Sequence, residues 1–358
     1  MNKLGLLAST AAALATTVVA TPAADAHAQS IVLCSQAALR TAITQANAAP
    51  GPNTLLLAPG CTYTLTAPDN GPNGLPLITS DITITGSLLG TQNVIRRQSA
   101  TDFRILAVEG PNGRLTLNNL TVRDGRAGAG GSEGGGGILA GTGTRLTLNS
   151  VEVTRNVAVA TAPGGGVMSF GTLIVRNSTV SHNIATAYAG GIGSESSANI
   201  SNTTVTGNSS REEGGGIAAA GSLTLTNSRV TDNGGRWRGG GLYANNLTGT
   251  VTDTLIRGNT AVADLPEGGG IATQGATTLT LERTTVFANR SLGDAGGGGI
   301  SNGAASTMTL RNSSVTNNYA TSAPGGISNS GAITLQATPV VDNVPSNCTP
   351  SVITGCTN

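Results

Sequence analysis

An aliphatic residue directly after a glycine run recurs at Ile138, Val167, Ile192, Ile217, Leu242, Ile271, Ile300 and Ile327, at spacings of 29, 25, 25, 25, 29, 29 and 27 residues. Self-similarity at such a period is the mark of stacked supersecondary units. Each anchor is followed by a second short apolar-alternating segment, as in Leu146-Thr147-Leu148, Leu223-Thr224-Leu225, Leu279-Thr280-Leu281 and Met308-Thr309-Leu310. A third segment centres on Val122, Val153, Val180, Val205, Val230, Ile256, Val286, Val315 and Val340. Three strands of period 2 and three turns in about 25 residues make one coil of a β-helix, whereas a propeller blade needs about 40 residues. The chain is therefore expected to be an all-β, three-stranded parallel β-solenoid of roughly eleven coils. Its 2% aromatic content leaves Ala, Val, Ile and Leu to fill the interior.

Two polar columns punctuate the repeat. Asn119, Asn177, Asn202, Asn227 and Asn312 share the turn between the second and third strands, with Asp253, Ser150, Arg283 and Ala337 at the same position in other coils. Asparagine accepts the left-handed conformation of a tight turn, and stacked amides would form a structural ladder. A second column closes the third strand: Asn156, Asn183, Asn208, Asn233, Asn259, Asn289, Asn318 and Asn343. Turn chemistry is the expectation there too, ahead of a row of ligand-binding amides. The glycine runs lack the Lys-Ser/Thr ending of a phosphate loop and open no helix, so they read as tight corners.

From about 115 to 343, segments such as Asn177-Ser178-Thr179-Val180-Ser181-His182-Asn183-Ile184-Ala185 resemble the repeats of polymorphic outer-membrane proteins and related bacterial β-helix adhesins. That resemblance implies the pectin-lyase-like right-handed parallel β-helix. The stretch Cys34-Ser35, Leu39-Arg40-Thr41-Ala42-Ile43, Ala46-Asn47-Ala48-Ala49-Pro50-Gly51 is similar to the CSLREA element that opens many exported bacterial repeat proteins. It departs by the inserted Gln36-Ala37-Ala38 and by Thr41 where the motif has Glu. Ser35 is placed to cap a short helix whose Leu39, Ala42, Ile43 and Ala46 share one face, suited to cover the first coil.

Residues 1–28 read as a signal peptide, with Lys3, an apolar stretch Leu4–Ala20 and Ala26-His27-Ala28 before the cleavage site. Thr10, Thr16 and Thr17 interrupt that stretch, which argues against an uncleaved anchor. The expected order is then a capping helix in 29–50, irregular coils in 51–114, a regular solenoid in 115–343 and a tail in 344–358. In an exported chain four cysteines favour disulfides, and local pairing of Cys34 with Cys61 and of Cys348 with Cys356 would staple both ends.

The net charge is +1 with basic residues dispersed singly, so the chain offers no stripe for nucleic acid. Its only lysine is Lys3, which removes a lysine base of the kind polysaccharide lyases use. Asp232, Asp253, Asp264 and Asp294 fall at different repeat positions, giving no calcium set, and no cofactor is implied. His182 has no carboxylate at its height and reads as a solvated side chain. The outward threonines Thr116, Thr147, Thr224, Thr250, Thr280, Thr309 and Thr334 share a column that Ile174 and Asn199 break, against an ice-binding grid.

One patch stands out. Counting four residues back from the anchors puts Tyr188, Glu213, Arg238 and Glu267 in a single column, with Glu212 and Trp237 beside it. An alternating-charge ladder accounts for the ions, and a glycan contact with stacking aromatics is the sharper reading. The expectation is a secreted or surface-associated monomer that binds a glycan, matrix or cell-surface protein without catalysis. The alternative is a polysaccharide lyase or glycoside hydrolase working around Glu213, Arg238 and Glu267.

Overall fold

The computed structural model describes residues 28–89, 91–128, 134–262, 267–293, 296–322, 324–349 and 353–358. Residues 1–27 of the expected signal peptide, and Asp264 and Asp294, lie outside these residues, while Ala28, the last residue of that expected segment, opens the first strand. The chain winds through three parallel sheets of 20, 11 and 8 strands. The 11-stranded sheet takes one strand from each coil, which sets the number of turns at eleven, in agreement with the repeat count. In register, Val122, Val153, Val180, Val205, Val230, Ile256, Val286 and Val315 stack as one column, and all are fully buried.

The assignment of faces differs from the sequence reading in one respect. The strand after the glycine run and the Leu-Thr-Leu strand belong to the same 20-stranded sheet, and in two coils they fuse into the single strands Ile217–Thr226 and Leu242–Thr252. The third face is instead a two-residue strand after the closing asparagine, as in Val157–Ala158 and Ile184–Ala185. Such a face is too short for a periodicity signal. Its inward side chains are small because the glycine corner packs close by: a Cβ on Gly166 would lie 2.7 Å from the Gly191 carbonyl oxygen and 2.9 Å from Asn183 Nδ2. Alanine at that corner collides with backbone that belongs to the next coil.

The side-chain amide ladder also stands in a different column from the one expected. Asn119, Asn177, Asn202, Asn227 and Asn312 all take φ between 46° and 52°, as their turn requires, but Asn177, Asn202, Asn227 and Asn312 are exposed. The buried hydroxyl that follows serves that turn: Ser178 Oγ accepts from Val151 N, and Ser228 Oγ from Thr203 N. Stacked amides occupy the other column, where each Nδ2 donates to the Oδ1 of the next coil from Asn156 through Asn343 at 2.9–3.0 Å. Each Oδ1 also accepts the preceding asparagine's backbone N–H, and each Nδ2 donates to a third-strand carbonyl, such as Val153 O from Asn183. These amides are buried and use both donors and both lone pairs, which is the condition for burying a polar group at low cost.

The ends are closed as the local cysteine spacing suggests, by Cys34–Cys61 and Cys348–Cys356 disulfides. A strand, Ala28–Val32, precedes the cap and pairs with Asn53–Leu57, so the solenoid begins before the helix rather than after it. The helix Gln36–Ala48 starts where Ser35 Oγ accepts from Ala38 N at 3.1 Å, and it buries Leu39, Ile43 and Ala46 against the first coils. At the far end Ile353 and Cys356 pack onto the core, and Asn358 holds both the N–H and the carbonyl of Cys348.

Candidate functional site

The register of neighbouring coils brings the suspected residues together. Gly164 N–H donates to Tyr188 O, Ala189 N–H to Glu213 O, Gly214 N–H to Arg238 O and Gly239 N–H to Glu267 O, each at 2.8–3.0 Å. Tyr188, Glu213, Arg238 and Glu267 therefore occupy one column just ahead of the glycine corner. Arg238 reaches both acidic neighbours, with its Nη1 3.3 Å from Glu213 Oε1 and its Nε 2.9 Å from Glu267 Oε2. Burial works against the Arg238 charge, but Glu267, with help from Tyr243 and Glu213, outweighs it and raises the guanidinium pKa further. An arginine held this way is a fixed cation rather than a base.

A cleft of about 230 Å³ opens beside this column, lined by Tyr188, Glu195, Glu213, Tyr243, Asn245 and the alanines 218–220. Its origin lies in the residues that follow the aliphatic anchors. Leu139, Met168, Gly193, Ala218, Tyr243 and Ala272 stand in register on successive coils. Met168 sulfur occupies the space over Gly193, where a Cβ would lie 2.4 Å away, whereas the side chain of Ala218 is short and leaves a hollow beside Tyr243. Tyr188 packs against the small cluster of Ala189, Ala218, Tyr243 and Ala272 and forms part of the cleft wall.

The cleft is acidic. Tyr243 O–H donates to Gln274 Oε1, and the Glu195 carboxylate lines the cleft together with the Tyr188 phenol. Burial, and then Glu195, Glu212 and Glu213, push the Tyr188 phenol well above its ordinary value. Tyr243 is pushed up to about 12 by burial and by Glu213, with Arg238 opposing. Burial and the adjacent Glu213 carboxylate also raise Glu212. Both phenols therefore remain neutral donors, and the charge in the cleft is carried by carboxylates.

Of the six residues singled out from the sequence, Tyr188 and Glu213 line the cleft, and Arg238 and Glu267 brace it from the side. Glu212 and Trp237 lie in the adjoining column, where Trp237 N–H donates to Glu212 O. Trp237 is 42% exposed and is not part of the lining. Glu195, Tyr243 and Asn245 were missed because repeat counting was anchored on the pre-glycine loop. Aligning the residue after each anchor would have exposed Tyr243 as the one aromatic beside small neighbours. Elsewhere, His182 is exposed, and Ile174 and Asn199 sit in the same outward column as Thr147 and Thr224. Among the described residues no three His, Cys, Asp or Glu side chains form a metal set, and no helix is long and apolar enough to cross a membrane.

Residues 175–343 match a family described as the right handed beta helix region. The solenoid is a right-handed parallel β-helix. Among solved structures the β-helix is similar to the Dettilon tailspike protein at a TM-score of 0.41 and 12% identity, over 87% of this chain. This chain spans 66% of that protein's length. The comparison with curated proteins gives no match.

Proposed function

We propose that this chain is a secreted or surface-associated β-helix protein that binds a glycan in the cleft between Tyr188 and Tyr243. One observation carries the reading: two tyrosines, two carboxylates and an amide converge on a cleft of about 230 Å³ whose alanine floor is apolar. Sugar rings present an apolar face and a rim of hydroxyls, and such a lining answers both, through stacking and polar clamps. The reading shifts the weight of the site from Trp237, which stands outside the cleft, to Tyr188, Glu195, Glu213, Tyr243 and Asn245.

Export is supported by the leader-like 1–28 segment and by two disulfides, which persist in oxidising compartments. The resemblance to CSLREA elements and to polymorphic outer-membrane repeats favours a role at the cell surface. Hydrolysis is the second reading, favoured by Glu195 and Glu213 lining one cleft, since glycosidases use paired carboxylates. A lyase reading has less support, because Arg238 is committed to two carboxylates.

A glycan array followed by calorimetric titration tests binding. Retained affinity in Tyr188→Ala would refute the cleft as the site. Released reducing ends from a bound oligosaccharide, abolished by Glu213→Gln, would establish hydrolysis in place of simple binding.

A further inference from the structure

The electrostatics of the cleft allow its ligand class to be narrowed, and this step rests on the glycan reading above. Glu195 and Glu213 both face the cavity, and no cationic side chain is part of the lining. The nearest arginine, Arg238, spends its charge on Glu213 and Glu267, at 3.3 and 2.9 Å. Arg211 and Arg236 are exposed and lie two residues ahead of Glu213 and Arg238, outside the lining. Glu212 adds a further carboxylate beside Glu213, and Glu267 a fourth beyond Arg238.

An anionic sugar entering this cleft meets Glu195 and Glu213, of which only Glu213 has a cation beside it, and that one is shared with Glu267; this net negative lining is a like-charge contact that disfavours binding. An ammonium group meets the reverse. It finds charge-assisted acceptors in Glu195 and Glu213, and the neutral rings of Tyr188 and Tyr243 as walls. The Asn245 amide is left for a ring hydroxyl. We infer that the ligand is an amino sugar bearing a free amine, a glucosamine-type residue, with its ammonium seated between Glu195 and Glu213 and its apolar face on the tyrosine side.

The test is a set of calorimetric titrations of the whole protein at slightly acid pH, where the amine is protonated. The probes are matched oligomers of glucosamine, N-acetylglucosamine and galacturonate, with putrescine as a sugar-free diamine. The glucosamine oligomer should bind at least about tenfold more tightly than its N-acetylated counterpart. The galacturonate oligomer should be weaker still, and the preference should shrink at high salt. Glu213→Gln and Glu195→Gln should each remove the preference while leaving thermal unfolding close to that of the parent; two variants are used because Glu213 also pairs with Arg238. Equal affinity for the acetylated and free sugars would overturn the amine assignment and leave glycan binding intact. Putrescine binding as tightly as the glucosamine oligomer would overturn the sugar part, and silence with every probe would overturn both.

Discussion

The buried amide ladder makes a quantitative prediction, because removing one rung strands identifiable partners. In Asn233→Leu the side chain keeps its approximate volume but loses the oxygen that accepts from Asn208 N and Asn208 Nδ2, both at 3.0 Å. The Val205 carbonyl loses the Nδ2 donor at 3.0 Å as well. All of this happens in the interior, where Asn233 is 1% exposed. Asn259 Oδ1 loses the same amide at 3.0 Å, and since a buried donor left without a partner costs about 1–3 kcal/mol, two stranded donors and two weakened acceptors predict a loss of at least about 3 kcal/mol. The control is Asn227→Ala, six residues upstream, in an exposed turn at φ 46°. Ala337 already holds the equivalent turn at φ 47°, so the expected cost is under about 1 kcal/mol. Urea unfolding followed by far-UV circular dichroism separates the two variants. Equal midpoints for Asn233→Leu and Asn227→Ala would refute the claim that this column carries the stabilising amides.

Gly166→Ala should be strongly destabilising, since its Cβ would meet backbone at 2.7 Å, whereas Gly143→Ala, at an open position, should cost only the strain of φ 76°; thermal melts compare them. Removing the Cys348–Cys356 link by serine substitution should raise hydrogen exchange in Ala332–Gln336, by up to about 2 kcal/mol of local opening, and leave the first coils unchanged. Because burial and Glu213 push the folded Tyr243 phenol up to about 12, against about 10 for a tyrosine in an unfolded chain, the folded protein holds that proton more tightly; stability is full below pH ~10 and falls as pH rises from ~10 toward ~12. Tyr188 shifts in the same direction, so Tyr243→Phe should reduce but not abolish the fall, as read by alkaline unfolding and phenolate absorbance.

The coil and its interior were legible in the sequence because most inward strand positions are aliphatic and recur in step. The Leu-Thr-Leu segments and the third-strand valines need only a period of 2 to declare which side is buried. The two asparagine columns were equally visible, yet turn chemistry alone pointed to the exposed one as the amide ladder, which stands in the buried one. Both are turn positions, and only the three-dimensional path shows that Asn183 points into the interior while Asn177 points to solvent. The two-residue third face was hidden for a different reason: Val157–Ala158 is too short for alternation, and it pairs with equally short segments beside the glycine corner. In the site, the charged column was legible because Glu213, Arg238 and Glu267 recur at coil spacing. The cleft was not, because it is a hollow, made by the small side chain of Ala218 between Tyr188 and Tyr243, and a hollow has no residue of its own to read.

The account depends on successive coils lying directly over one another. Spin labels at Thr172 and Thr307 test this, since these residues occupy one column through Ser197, Ser222, Thr248 and Thr278. Five coil-to-coil steps at ~4.8 Å place their backbones about 24 Å apart. A narrow distance distribution centred there, broadened only by the label arms, is the predicted result. A broad distribution, or a centre displaced well beyond the reach of the label arms, would contradict the stacking on which the ladder and the cleft both rest.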